Sequence, residues 1–304
     1  MKALVHETVE ARDVEAHSAG VWLAGRVVEA LLDEARLAPK PGLVDSRGQG
    51  AHTDLDLALM CRSAHALEPA FAAMADAART AGAPTLALRE ELGRLGREAE
   101  TTMMKATGGI NTHRGAIWAM GLLVAAAAQA GFTATPVHIA QRAASLAQMP
   151  DRHAPLATGN KGERACRDFG VTGARGQAQA GFPHVIERGL PELKRSRSRG
   201  DSETASRLNA LLAILSGLDD TCVLSRAGPA ALQALQEDAA AVLAGGGVAT
   251  LTGRRLLRQL DARALALNAS PGGAADLLAA TLFLDRLDPA SSGLHFLESF
   301  YGNL

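Results

Sequence analysis

Aromatic residues are scarce in this chain: one Tyr, two Trp and seven Phe make up 3% of 304 residues. Sheet sandwiches rely on aromatic and β-branched side chains, so this poverty argues against one. Cysteine is equally sparse. Cys61, Cys166 and Cys222 stand far apart with no CxxC pair, which excludes a disulfide framework or a cysteine zinc site and leads us to expect a reducing, cytoplasmic setting. No charge of one sign prevails: 31 basic and 32 acidic residues leave a net charge of -1, hence no global field for nucleic acid or an anionic membrane. The longest nearly apolar run, GAIWAMGLLVAAAA from Gly115 to Ala128, falls short of the ~20 residues that span a bilayer and predicts a buried helix. The opening MKALVHETVEARDVEAH places His6, Glu7 and Glu10 where an export signal would be apolar, so no such signal is expected. The phosphate-loop pattern GxxxxGK[ST], the dinucleotide pattern GxGxxG, the serine elbow GxSxG and the zinc helix HExxH are all missing.

What is abundant is alanine and leucine, within a hydrophobic share of 47%. Both favour close-packed helices, and the expected fold is all-α, one large domain over residues 1–304 with glycine-rich loops around a nucleotide site. Val14, Val21, Leu23, Val27, Val28, Leu31 and Leu32 recur at helical spacing between Asp13 and Leu37. Pro39, Pro41 and Gly42 then end that helix, and PKPGLVDSRGQGAHTDLD reads as a loop. Further helices are predicted at Leu55 to Ala78, Pro84 to Met104, from Gly115, Pro136 to Gln148, Asp201 to Leu218, Pro229 to Ala244, Thr250 to Ala264 and Pro271 to Leu287. Thr158 to Pro183 holds six glycines and reads mainly as loop. The basic run KRSRSR at 194–199 reads as a solvated, mobile linker.

Two glycine-bearing segments feed helix starts. In TGGINTHRG (Thr107 to Gly115), Asn111 or Thr112 can cap the helix, Gly108 and Gly109 leave backbone N–H groups accessible, and Arg114 adds positive charge beside the positive end of the helix dipole. In NASPGGAADLLA, Ser270 is a candidate cap, Pro271 suits a first helical position, and Gly272 and Gly273 expose backbone. Two such mouths suit a polyphosphate, although each is also an ordinary helix start. Asp219 and Asp220 follow LNALLAILSGL, at the negative end of its dipole, where a magnesium ion would relieve them; alternatively they are exposed or cap the next turn. Asp45, His52 and Asp54 in the proline-glycine loop, Glu98 and Glu100 before the first mouth, and Asp276 after the second complete the candidates.

Five stretches in order across residues 40 to 279, KPGLVDSRGQGAHTDLD, EAETTMMKATGGINTHRGAIWAMGLL, GVTGARGQAQAGFP, LLAILSGLDDTCVLSRAG and NASPGGAADLLA, resemble the triphosphoribosyl-dephospho-coenzyme A synthases. RGAIWAMGLL looks more like the branch that accompanies malonate decarboxylase, the citrate lyase branch tending to carry lysine where Arg114 stands. The resemblance implies an all-helical enzyme that moves the 5-triphosphoribosyl unit of ATP to the ribose 2′-hydroxyl of 3′-dephospho-CoA, releases adenine, uses Mg2+ with ATP, and supplies the prosthetic-group precursor of an acyl carrier protein subunit. Cleavage of the ribose–adenine bond builds oxocarbenium-like charge, so a base for the hydroxyl and a proton donor for adenine are needed.

On that footing Arg114, Arg175 and Arg226 are expected to hold phosphates together with Lys40, His52 and the two mouths. Asp219, Asp220 and Asp54 are the expected metal ligands, Glu100 the base, His113 a hydrogen-bond partner for adenine or phosphate, and Asp45 a further catalytic acid. Two positions depart from the family pattern: Gln177 replaces the glutamate of GARGEA, and SRAG at 225–228 replaces HRGG. A magnesium-dependent N-ribosyl hydrolase resembling the ADP-ribosylglycohydrolases, and a noncatalytic helical partner of the decarboxylase, are the rival readings.

Overall fold

A computed structural model describes residues 2–131 and 133–291, with side chains from Ala19 onward. The export-signal reading, which rests on His6, Glu7 and Glu10, and the first position of the apolar stripe, Val14, concern side chains outside those described. The fold is all-α: α1 Lys2–Arg36, α2 Leu57–Ala66, α3 Glu68–Ala81, α4 Leu86–Ala106, α5 Arg114–Ala130, α6 Pro136–Gln148, α7 Lys161–Phe169, α8 Gly173–Gln179, α9 Leu190–Ser198, α10 Glu203–Leu215, α11 Thr221–Ala244, α12 Leu251–Ala266 and α13 Gly272–Leu287. A π-helical turn, His184–Gly189, leads into α9. Among the described residues no strand forms; Asp45 and Gly48 make an isolated bridge. No helix described is long and apolar enough to cross a membrane.

Two helices occupy the centre because they are apolar on every side, which water would penalise anywhere else. In α5, Ala116, Ile117 and the run from Ala119 to Ala127 are buried, and in α13 so is nearly every residue from Ala274 to Asp285. Their small residues permit close approach. A Cβ on Gly121 of α5 would stand 2.8 Å from Met74 Sδ of α3. Around this pair pack α1, α3, α6 and α10, the last contributing Leu208, Leu211, Leu212, Ile214 and Leu215. Truncating one such leucine to alanine costs about 2–5 kcal/mol, so the centre resists rearrangement and can hold the two helix starts in fixed relation.

Most predicted helices form, and α6 falls on the expected residues. Four expectations are corrected. The Leu55 to Ala78 pattern is two helices, broken at Leu67 with Pro69 in the first turn of α3. Thr158 to Pro183 holds the short helices α7 and α8, capped at one end by Asn160, whose side chain accepts the Glu163 N–H. KRSRSR lies at the end of α9 and just beyond it, held by acids that include Glu203 and Asp285. Finally, α11 begins at Thr221, well before Pro229, and bends at Gly228, whose φ of 79° is in the left-handed region.

Candidate active site

The loop after α1 is pinned before it can serve any ligand. Gly42, at φ 65°, lies so close to the α12–α13 connection that a Cβ would stand 2.3 Å from the Ala269 carbonyl oxygen, and its N–H donates to Asp261 at 3.1 Å. Asp45, 2% exposed, accepts the N–H groups of Lys40 (2.9 Å) and Arg47 (2.7 Å) and the Arg47 guanidinium (2.7 Å), which also reaches Asp261 (2.8 Å). Burial alone would raise the Asp45 pKa, but these hydrogen bonds outweigh it and hold it lowered. Its acceptor capacity is spent on shaping the loop.

Lys40 follows inward. Only 1% exposed, its ammonium donates to the Glu34 carbonyl (2.7 Å) and bonds the Glu34 carboxylate, itself buried in α1. A buried pair of this kind gives little net stability, since desolvating both charges offsets their attraction. At the loop's far end His52 Nε2 lies 3.0 Å from Ser270 Oγ, with exposed Asp54 3.6 Å from its other nitrogen. Burial, then the charge of Arg226, lowers the His52 pKa. Arg226 donates to the carbonyls of Ala51 (2.6 Å) and Asn268 (3.2 Å) and to the Asn268 side chain (3.1 Å). It ties this loop to the start of α13.

The TGGINTHRG segment is built in layers. Gly108 and Gly109 sit at φ 64° and 93°, the left-handed turn that reverses the chain after α4, and no atom stands within 4 Å of where either Cβ would be. Asn111 Oδ1 accepts the Arg114 N–H at 3.1 Å, so Asn111 serves the helix start as expected. Thr112 does not cap; its hydroxyl pairs with Ser63 of α2 at 2.6 Å, and Ser63 in turn lies 2.9 Å from His113 Nδ1. His113 is 2% exposed, and burial, then the charge of Lys40, pushes its pKa down to about 4, so the ring is neutral. Its Nε2 is buried without a partner. Arg114 pairs with Glu100 at 2.9 Å on the rim.

The second mouth is assembled by an acid from elsewhere. Ser270 does not cap α13, because its hydroxyl goes to His52. Asp220 does that work twice over: one carboxylate oxygen accepts the Cys222 and Val223 N–H groups at the start of α11 (2.9 and 3.3 Å), the other the Ala274 N–H of α13 (2.8 Å). Gly272 and Gly273 allow this approach, since a Cβ on Gly273 would stand 3.1 Å from that carboxylate and one on Gly272 2.9 Å from Cys222 Sγ. Asp220 therefore sits at the positive ends of two helices, rather than suffering the negative end of α10. Its pKa is nevertheless raised, burial outweighing the backbone hydrogen bonds. Asp219 is exposed, so the two acids do not face one site.

The mouths meet at Gly115 and Asp276. A Cβ on Gly115 would stand 2.2 Å from Asp276 Oδ2, so only glycine admits this carboxyl against the first turn of α5. Asp276 makes no hydrogen bond or ion pair among the described residues, and burial, then the negative charges of Glu34 and Asp220, raise its pKa well above the carboxylate range. A carboxyl whose pKa is raised, at the same pair of helix starts as a neutral, unpartnered imidazole nitrogen, can exchange protons with a bound molecule.

Of the expected site residues, Lys40, His52, Asp54, Thr112, His113, Arg226, Ser270, Gly272, Gly273, Asp220 and Asp45 belong to this neighbourhood, with Gly108, Gly109, Asn111, Arg114 and Glu100 on its rim. Arg175 is exposed on α8, and its charge acts on Arg89 of α4. Sequence reasoning missed Glu34 and Ser63. Glu34 continues the buried stripe Val27, Leu31 at helical spacing, and Ser63 follows buried Leu59 by four residues, so a polar residue on an apolar face was the available signal.

The chain matches the CitG family model, ATP:dephospho-CoA triphosphoribosyl transferase, over residues 21–293. A relative from Klebsiella pneumoniae named 2-(5''-triphosphoribosyl)-3'-dephosphocoenzyme-A synthase is 59% identical over 274 residues, covering 90% of this chain and 97% of its own. A protein of Stutzerimonas stutzeri, named as probably the same synthase, is 59% identical over 278 residues, 91% of this chain and 96% of its own. One of Azotobacter vinelandii, similarly named, is 58% identical over 266 residues, 88% and 91%. No solved structure matches the chain.

Proposed function

The chain belongs to the ATP:dephospho-CoA triphosphoribosyl transferase family, and from that premise we propose that it transfers the 5-triphosphoribosyl unit of ATP to the ribose 2′-hydroxyl of 3′-dephospho-CoA. The observation that carries the placement of this chemistry is the meeting of the two mouths at Gly115 and Asp276, two residues along the chain from His113, whose Nε2 is unpartnered. In the reaction the bond from ribose C1′ to adenine breaks and a bond from C1′ to the acceptor's 2′-oxygen forms. The hydroxyl proton must leave, and adenine must gain one.

Asp276 is the proton donor to adenine in this proposal, kept protonated by burial and by Glu34 and Asp220. His113 is the partner of the attacking hydroxyl. With Nδ1–H donating to Ser63, whose own hydroxyl passes on to Thr112, Nε2 is an acceptor. Beyond burial, the larger cause for both, the two groups sense opposite members of the Lys40–Glu34 pair, Lys40 lowering the imidazole pKa and Glu34 raising that of the carboxyl. Glu100, paired with Arg114, becomes a rim anchor, and Arg114 with the backbone of the TGGINTHRG turn receives the triphosphate.

Magnesium enters this proposal as the counter-ion of ATP. Asp219 is exposed while Asp220 is buried, the Asp220 oxygens already accept backbone N–H groups, and no set of three or more His, Cys, Asp or Glu suited to a metal occurs among the described residues. We further propose that the product is the prosthetic-group precursor for the acyl carrier protein of malonate decarboxylase; the RGAIWAMGLL stretch supports that branch, and the setting is taken as cytoplasmic. Mass spectrometry of a reaction of ATP, magnesium and 3′-dephospho-CoA tests the reading. A product carrying the intact triphosphoribosyl unit, with one adenine per product, is expected; ribose triphosphate formed without acceptor would instead make this a hydrolase.

A further inference from the structure

One turn further along α5 lies a second group of buried polar atoms. Trp118 follows Arg114 by four residues, so the two share a face of the helix, about 6 Å apart along its axis. Arg89 of α4 lies over the Trp118 ring, 5.1 Å from its centre. Arg89 is only 7% exposed, yet its Nε has no partner, and Trp118 Nε1 is likewise buried and unpartnered. Both groups only donate, so an acceptor is what would complete them.

The surrounding charges define its class. Arg89 stands 3.8 Å from Asp151, a carboxylate that Arg97 already holds at 2.7 Å and whose other oxygen accepts the His153 N–H at 2.9 Å. Arg175 of α8 adds a further like charge on Arg89. Arg89, Arg97 and Arg175 against the one carboxylate of Asp151 leave an excess of two positive charges. Burial disfavours the Arg89 charge first, and its like-charged neighbours add to that against the pull of Asp151. A phosphate ester supplies charge and acceptor oxygens together, and guanidiniums are the side chains that grip it with two parallel bonds.

The reaction gives a reason for two phosphate sites. Joining donor C1′ to the acceptor's 2′-oxygen leaves a triphosphate on one side of the new bond and the acceptor's diphosphate on the other. With the triphosphate at the mouth, the geometry points to Arg89, Arg97, Arg175 and Trp118 as the site that takes the diphosphate of the acceptor nucleotide. The anion class follows from the residues themselves; that the anion is the acceptor's rests on the synthase reading.

Calorimetry with inorganic pyrophosphate, 3′-dephospho-CoA and magnesium ATP as separate probes tests this on the wild-type protein, on the Arg97→Ala/Arg175→Ala double variant and on Trp118→Phe. The two arginines are partly exposed, and phenylalanine keeps an aromatic ring at position 118, so both variants should fold; matching thermal midpoints verify it. Pyrophosphate and dephospho-CoA are expected to bind at least about tenfold more weakly to the double variant and several-fold more weakly to Trp118→Phe, with ATP within about twofold, as loss of charge-assisted hydrogen bonds from one ligand requires. The acceptor KM should rise in step. Loss of ATP affinity instead would give the cluster to the donor, and unchanged affinity for every probe would make it structural; either result overturns the proposal. A wild type that makes no product yet loses pyrophosphate on substitution would overturn the acceptor assignment and, separately, the synthase reading.

Discussion

The α9 network and the meeting point of α5 and α13 are both dense in charge, and they treat it in opposite ways. Around α9 the positive charges are met: Arg197 bridges Asp285 and Glu203 (both 2.8 Å), Arg199 reaches Asp201 (2.8 Å), Arg195 pairs with Glu192 and Lys194 with Asp288. At the mouths, partly buried Asp276 makes no hydrogen bond or ion pair among the described residues, and buried His113 leaves Nε2 unpartnered. Folding alone selects for matched buried polar groups. An unmatched one costs stability, and one that sits at a helix mouth is where a bound molecule could complete the set. The basic run, which reads in sequence as a solvated linker, is a structural network.

Substitutions can sharpen this contrast. The largest effect is expected for Asp276→Asn: turnover should fall by about 10²–10⁴-fold, as for loss of a general acid. Because the folded pKa of Asp276 is raised, its ionisation opposes folding increasingly as pH rises from 3.8, so the same variant should be equally or more stable at neutral pH. Chemical denaturation beside turnover measures both. Asp220→Ala should destabilise by about 2–4 kcal/mol, since it strips caps from two helices at once, whereas Asp219→Ala should stay within about 0.5 kcal/mol.

The two regions should also fail in different pH windows. His113 has a folded pKa of about 4 against 6.5 unfolded, so its neutral form contributes stability that is present in full above pH 6.5 and lost as pH falls to 4; by linkage this is about 3 kcal/mol. Glu203, held at about 2 chiefly by its hydrogen bond from Arg197, contributes stability present above about pH 4.5 and lost as pH falls toward 2. His113→Asn, which can keep a bond to Ser63, should flatten the upper window only, and Glu203→Gln the lower window only, in denaturation midpoints followed against pH. The smallest effect is expected for Arg195→Ala, an exposed i,i+3 partner of Glu192, at under about 0.5 kcal/mol.

Helical periodicity carried most of the fold, because a buried stripe leaves a pattern at every turn; α6 and the end of α1 near Ala38 were readable for that reason. What periodicity cannot hold is partnership. KRSRSR reads as solvated when two of its five acids, Asp285 and Asp288, lie about ninety residues away. Asp220 follows α10 in sequence, yet its carboxylate serves α11 and α13. The mouths were legible through their glycines, though for the wrong physical reason in part: Gly273 and Gly115 make room for Asp220 and Asp276 rather than baring backbone to a ligand. Glu34 and Ser63 went unseen because one acid or hydroxyl on an apolar face looks like a tolerated exception until a second chain segment is laid against it.

The most direct test of the account is adenine release from magnesium ATP, followed against 3′-dephospho-CoA concentration for the wild-type protein beside Asp276→Asn, with ATP binding measured for both. Release that depends on acceptor in the wild type and is lost in the variant, at equal ATP affinity, is the expected result. Release that ignores the acceptor, or that survives Asp276→Asn undiminished, would contradict the claim that the meeting point of α5 and α13 performs the transfer.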